Sequence, residues 1–148
     1  MPLVIDPLVR IPAPCYTHHS GLSLYYAGRY NDGAEQFRKD VAVNPADTEE
    51  AVWAFLCEAQ LPDVGFNGAR QRMLVVGKDP RPYMRVAYEL FLGAAKEEDL
   101  AHEAKPSTPS EFYALLYLGL YAEARKETDK ARTCTFDSSS SLCGFGSE

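Results

Sequence analysis

An all-α chain of antiparallel helix pairs is predicted here, and three observations carry the prediction. Between His18 and Pro45, the residues Gly21, Leu24, Gly28, Tyr30, Gly33, Phe37 and Pro45 stand at the offsets of two helices locked across a short turn by small and aromatic side chains. The glycine-to-small spacing of Gly21 and Gly33 returns near the other end as Leu118-Gly119 and Ala131, which marks an internal repeat. Between these two places, proline and glycine breaks divide the chain into segments whose apolar residues lie three and four apart. Residues 1–14 read as an extended lead-in, 15–136 as one helical repeat domain and 137–148 as a flexible tail.

Pro2, Pro7, Pro12 and Pro14 forbid a continuous helix in the lead-in. A first helix is expected over 16–27 and a second over 31–43, joined at Gly28-Arg29-Tyr30. Gly21 and Gly33 are the expected points of close approach, because a residue without Cβ lets the opposite side chain reach backbone. Asn44-Pro45 stops the second helix. Asp47-Thr48-Glu49-Glu50 starts a third over 48–60, with Asp47 as cap and the acids at the positive end of the dipole. Val52, Phe55, Leu56 and Ala59 form its apolar stripe, with Trp53 beside them.

After Leu61-Pro62-Asp63-Val64-Gly65, a fourth helix is expected over 67–76, with Met73, Leu74 and Val76 on its apolar side and Gly77 as its stop. Pro80 and Pro82 punctuate again, and 83–92 reads as a fifth helix that buries Val86, Leu90 and Phe91. AAKEEDLAHEAK is helix-prone but polar, and is expected as a short exposed helix. A final apolar helix follows Pro106-Ser107-Thr108-Pro109-Ser110-Glu111. Phe112, Leu115, Leu116, Leu118 and Tyr121 lie around much of its circumference and need cover on several sides. Beyond Phe136 the four serines of the tail cannot continue a packed helix, so another polypeptide, a second copy or a different subunit, is expected to cover this end.

The segment from His18 to Pro45 resembles a tetratricopeptide (TPR) repeat. It departs from that pattern at Thr17, Ser20, Leu24 and Asp40, where Trp, Leu, Tyr and Ala are usual. The resemblance implies a short right-handed superhelix of stacked helix pairs whose first helices line a concave groove. His18, His19, Leu22, Tyr25 and Tyr26 would face it from the opening pair, and Tyr113, Leu116, Tyr117, Leu120 and Glu123 from the closing one. TPR domains that clamp chaperone carboxylates use Lys and Asn where this chain has His18 and Leu22, which argues against that partner class. A tyrosine-rich groove suits an extended peptide or a partner helix, although tyrosines at such positions also serve as packing between helices.

Composition narrows the function classes. At 148 residues with 46% hydrophobic and 24% charged residues, the chain is the size of one globular domain. A net charge of −6 argues against nucleic acid as the main partner. No apolar run reaches membrane-spanning length, and no secretory signal is expected from the proline-rich start. Cys15, Cys57, Cys134 and Cys143 form no C-x-x-C pair, so a reducing compartment, the cytoplasm or an organelle, is expected with Cys57 a buried thiol.

Catalytic motifs are missing: there is no G-x-S-x-G, P-loop, dinucleotide fingerprint or H-E-x-x-H. Adjacent His18 and His19 point about 100° apart on a helix, and no second Cys/His cluster completes a ligand set. No metal and no cofactor are expected. Arg70, Arg72, Lys78, Arg81 and Arg85 concentrate positive charge against the single Asp79, as a solvated face or as a docking patch for an acidic partner. The reading is therefore a non-catalytic adaptor or scaffold that binds protein or peptide in its groove, or else a structural subunit of a larger assembly.

Overall fold

The computed structural model describes residues 18–126. The lead-in, the tail, Ala131 and Cys15, Cys134 and Cys143 lie outside them. The described chain is all-helical, with α1 His18–Tyr26, α2 Tyr30–Val43, α3 Thr48–Ala59, α4 Gly65–Gln71, α5 Pro82–Leu92, α6 Glu97–His102 and α7 Pro109–Ala124. No helix among them is long and apolar enough to cross a membrane.

The opening pair closes where its glycines allow. A Cβ on Gly21 would sit 2.5 Å from Cζ of Phe37, and one on Gly33 would sit 2.8 Å from Sγ of Cys57 and 3.7 Å from the Gly21 carbonyl. Gly28, at φ +75°, makes the turn between α1 and α2 in the left-handed region. Asp47 caps α3 as its sequence indicates, accepting the N–H groups of Glu49 and Glu50 at 3.1 and 3.4 Å. At the far end of α5, Gly93 takes the left-handed C-cap and returns its N–H to Glu89 and Leu90 carbonyls.

The hub is α3, buried from Thr48 to Ala59 except for part of Glu49. Consecutive helices pack as α1 on α2, α2 on α3, α3 on α4, α5 on α6 and α6 on α7, while the odd helices also touch in succession and α7 reaches back to α3. Trp53 and Phe55 lie two residues apart and so leave opposite sides of α3. Trp53 meets Tyr25, Phe37 and Tyr117 with centroids 5.2, 6.1 and 6.5 Å away. Phe55 meets Phe66 and Phe91 at 5.3 and 5.1 Å, and Tyr121 completes that cluster. A helix flanked by aromatic clusters on two sides carries apolar residues towards both because it has almost no solvent face, and its buried Glu58 is ion-paired to Arg38.

Three sequence expectations change. The fourth helix ends at Gln71 rather than at residue 76, so Met73, Leu74 and Val76 lie on a straight connecting segment. Valine pairs favour extended backbone, and tertiary bonds hold it there: the Tyr88 hydroxyl donates to the Leu74 carbonyl at 2.8 Å and the Gly77 N–H to the Pro45 carbonyl at 2.8 Å. The short helix expected to be exposed, α6, buries Leu100 completely while Glu98, Asp99 and His102 stay exposed. On α7, Tyr117, Leu118, Leu120 and Tyr121 are already buried, whereas Phe112 keeps 55% of its surface. The demand for outside cover on this helix thus narrows to its first turn.

Candidate protein-binding surface

Three of the four tyrosines expected to line a groove, Tyr25 and Tyr26 of α1 and Tyr117 of α7, meet on Trp53, whereas Tyr113 stacks on Tyr83. Tyr25, Tyr26 and Tyr117 all stand edge-on to the Trp53 ring, with centroids 5.2, 6.2 and 6.5 Å away. Glu123 of α7 faces the same place. Burial and then the Glu123 carboxylate push the phenols of Tyr25 and Tyr26 above their ordinary range.

The cluster sorts into floor and rim. Tyr25, Tyr117 and Leu120 are buried, so these three expected groove residues are core. The reason is closure: α7 packs on α3, which carries Tyr117 and Leu120 into the interior rather than leaving an open channel. Leu22, Tyr113 and Leu116 are half-buried against the core. Tyr26 is the exception, 69% exposed although its ring packs on both Tyr25 and Trp53. His18 and His19 fall in the first turn of α1, and their side chains lie outside the described residues.

A second aromatic group, in which Phe112 is exposed and Tyr83 and Tyr113 are half-buried, lies at the N-terminal ends of α5 and α7. Tyr83 and Tyr113 stack with centroids 5.3 Å apart and planes inclined by 7°, and Phe112 stands edge-on to Tyr113 at 5.3 Å. Tyr83 and Phe112 are absent from the sequence-derived set, as is Trp53. Pro82 at the start of α5 was the available signal for Tyr83, because it fixes the first turn and so the direction of the residue behind it.

The basic residues do not form one patch. Arg70 lies over the Phe66 ring at 4.8 Å and bonds the carbonyls of Phe91 and Leu90 and the Tyr121 hydroxyl at 3.0, 3.3 and 3.2 Å. A cation at the carbonyl end of α5 complements its dipole. Arg85 donates to the Asp79 carbonyl at 2.9 Å. Arg81 forks onto Asp79 at 3.0 and 2.8 Å and reaches Glu49 at 3.3 Å, while Glu49 accepts the Tyr117 hydroxyl. Only Arg72 and Lys78 of the five carry exposed side chains. Charge counted along the chain cannot distinguish solvated arginines from those that close a fold.

Two groups of this region bear on its chemistry in solution. Burial and the neighbouring Glu58 charge push the Cys57 thiol up to about 12, so at neutral pH it holds its proton and lacks the thiolate that reacts. Alkylation of the native protein read by peptide mass spectrometry should leave Cys57 unmodified, with labelling only after denaturation. The Tyr25 hydroxyl is buried with no hydrogen-bond partner among the described residues. Removing an unsatisfied buried group is neutral or stabilising, so Tyr25→Phe should keep or raise the melting midpoint, while Tyr25→Ala lowers it.

Raised folded-state pKa values also fix the direction of alkaline sensitivity. Cys57, Tyr25 and Tyr117 all release protons more readily unfolded than folded, so their contribution is complete below about pH 8.5, where unfolded thiols begin to ionise. It is lost progressively as pH rises, first through the thiol and then through the phenols. Denaturant midpoints measured between neutrality and alkaline pH check this, and midpoints that rise with pH would contradict the burial of these groups. Compared with family models, with characterised proteins and with solved structures, the chain matches none.

Proposed function

We propose that this chain is a non-catalytic protein-binding adaptor or scaffold, with its helix pairs arranged as a short TPR-like right-handed superhelix. The succession of packed neighbours, with the odd helices also touching in turn, supports that arrangement. The single observation carrying the binding role is Tyr26. Its ring is held edge-on by Tyr25 and Trp53 yet keeps 69% of its surface in water. A tyrosine held in place contributes apolar area and a hydroxyl at small entropy cost, which is the profile of an interface anchor. The partner it suits is a peptide or helix laid across Tyr26 and the half-buried Leu22, in a reducing compartment consistent with the free thiol of Cys57.

Phe112 favours the second reading, a structural subunit whose α7 end meets a neighbouring chain, because an exposed phenylalanine beside two stacked tyrosines asks for cover. Affinity purification with mass spectrometry, repeated with Tyr26→Ala and Phe112→Ala, tests both. Truncating a true anchor costs about 2 kcal/mol of affinity, roughly thirtyfold, and should barely move the melting midpoint because each ring is mostly exposed. Loss with Tyr26→Ala alone supports the adaptor, and loss with Phe112→Ala alone supports the subunit. Retention of every partner by both variants rejects both surfaces.

A further inference from the structure

Arg125 lies over the Tyr121 ring at 5.6 Å and pairs with Glu97 at 3.3 Å. A guanidinium suits that double role, because its flat face stacks on an aromatic ring while its N–H edge meets a carboxylate. Glu123, two residues on from Tyr121, leaves the opposite side of α7, and there the same two partners stand without the cation. Two contacts place it: the Tyr117 ring meets Trp53, and Lys126 donates to Oε1 of Gln60 at 3.1 Å, so α7 runs beside α3 in the same direction. Glu123 is therefore level with the C-terminal half of α3, where Trp53 holds Tyr25 and Tyr26. Burial and then the Glu123 charge raise both phenols. Tyr26 keeps 69% of its surface, and Glu123, also exposed, makes no ion pair or side-chain hydrogen bond among the described residues. The cations around it are engaged: Arg29 with Asp32, Lys126 with Gln60 and Arg125 with Glu97.

We propose that the Tyr26 surface takes an arginine-bearing helix of a partner protein, whose guanidinium stacks on the Tyr26 ring and pairs with Glu123 while a leucine one turn away packs on Leu22. This rests on the adaptor reading and names the chemistry of its partner. A helix is the form that fits, because α1 has its backbone groups bonded within its own turns. An extended chain would find no edge to pair with there, whereas a helix arrives with its own hydrogen bonds made. Leu22 and Tyr26 stand about 6 Å apart along α1, the rise between residues four apart on the incoming helix. Charge selects the cation: the chain carries a net −6, and an acidic side chain at this place would meet Glu123 as a like charge. Both contacts of the guanidinium are at the surface, so salt weakens its share of the binding and leaves the leucine contact in place.

The probe is a short helix of alanine and glutamine with one arginine at its centre and a leucine four residues to either side, so that it can dock in both directions. A covalent side-chain link on its far face holds it helical, since a free peptide of this length is marginal in water. NMR titration of the labelled full chain reads affinity and location together. The peptide should shift the signals of Leu22 and Tyr26, and replacing its arginine with citrulline, which keeps the shape and removes the charge, should weaken it about tenfold. In Glu123→Gln, whose fold should be unchanged because the side chain is exposed, that gap should shrink to about threefold, the share left to stacking. Equal affinity of the arginine and citrulline peptides overturns the proposal, as does a gap undiminished in Glu123→Gln or an arginine peptide that leaves Leu22 and Tyr26 unshifted. Equal binding at Leu22 and Tyr26 would reject the cation and leave the adaptor reading standing. That reading fails on a different result, the retention of every cellular partner by Tyr26→Ala.

Discussion

Gly21→Ala lowers the melting midpoint of this protein, although alanine in a helix ordinarily gains up to about 1 kcal/mol over glycine. The sign follows from space. A Cβ at this position falls 2.5, 2.6 and 2.9 Å from three atoms of the Phe37 ring, which is fully buried and stacked on Trp53. A ring clamped in that way cannot step aside as the end of a flexible chain would, so α1 must move off α2. Overpacking of this kind costs about 1–3 kcal/mol, a fall of roughly 2–4 °C for each kcal/mol at this chain length. Gly33→Leu is more severe, because its first carbon already meets Cys57 Sγ at 2.8 Å and the rest of the side chain must displace α3. A double variant isolates that cause: Gly33→Ala/Cys57→Ala should be less damaged than the sum of its single variants, since deleting the sulfur makes the room. Thermal melts followed by circular dichroism decide it, and an unchanged or raised midpoint for Gly21→Ala rejects the helix contact.

Arg81→Met is the second large loss, and Arg72→Met is its control. Arg81 neutralises Asp79, which is only 3% exposed, and also bridges to Glu49. Without the guanidinium, two carboxylates remain in one partly desolvated pocket beside the buried Tyr117. Leaving a buried charge unpaired costs about 3–5 kcal/mol, but Arg81 keeps 37% of its side-chain surface. Solvent screening therefore moves the expectation to about 2–3 kcal/mol. Arg72→Met should cost nothing measurable, because that side chain is exposed. Arg81→Met/Asp79→Asn should recover part of the loss by removing the orphaned charge.

The acid limb of the same network has a definite sign. Burial alone would raise the Asp79 carboxyl, but hydrogen bonds from the Arg81 side chain and N–H, together with its charge, hold it below the usual range. A folded value below the unfolded one means that the contribution is intact above about pH 4 and fades only as pH falls below that. Denaturant titrations at neutral pH and below pH 4 should therefore show Arg81→Met converging on the wild type at the acid end. Equal losses at both pH values would count against Asp79 as the group responsible.

The residues that repeat at helical spacing made the helices legible. Gly21, Gly33 and Phe37 announced a close crossing and Asp47 a cap, because each acts on backbone within one turn or through a contact its size imposes. Two kinds of information were not local. Val75 and Val76 continue an apolar pattern that reads as helix, and it took Tyr88 and Pro45, distant in the chain, to hold that segment straight. The five basic residues look alike in sequence, yet Arg70 and Arg81 close helix ends and buried acids while Arg72 and Lys78 meet water.

The tyrosines show the same division. By itself the sequence determined that this chain is helical and where its opening helices cross, and it set aromatic residues at both ends. Which of them a partner can reach was decided only when α7 folded back onto α3. Burial is a property of the whole packed chain: Tyr25 and Tyr26 are neighbours on one helix, and the side that Trp53 fills leaves one in the core and the other in water.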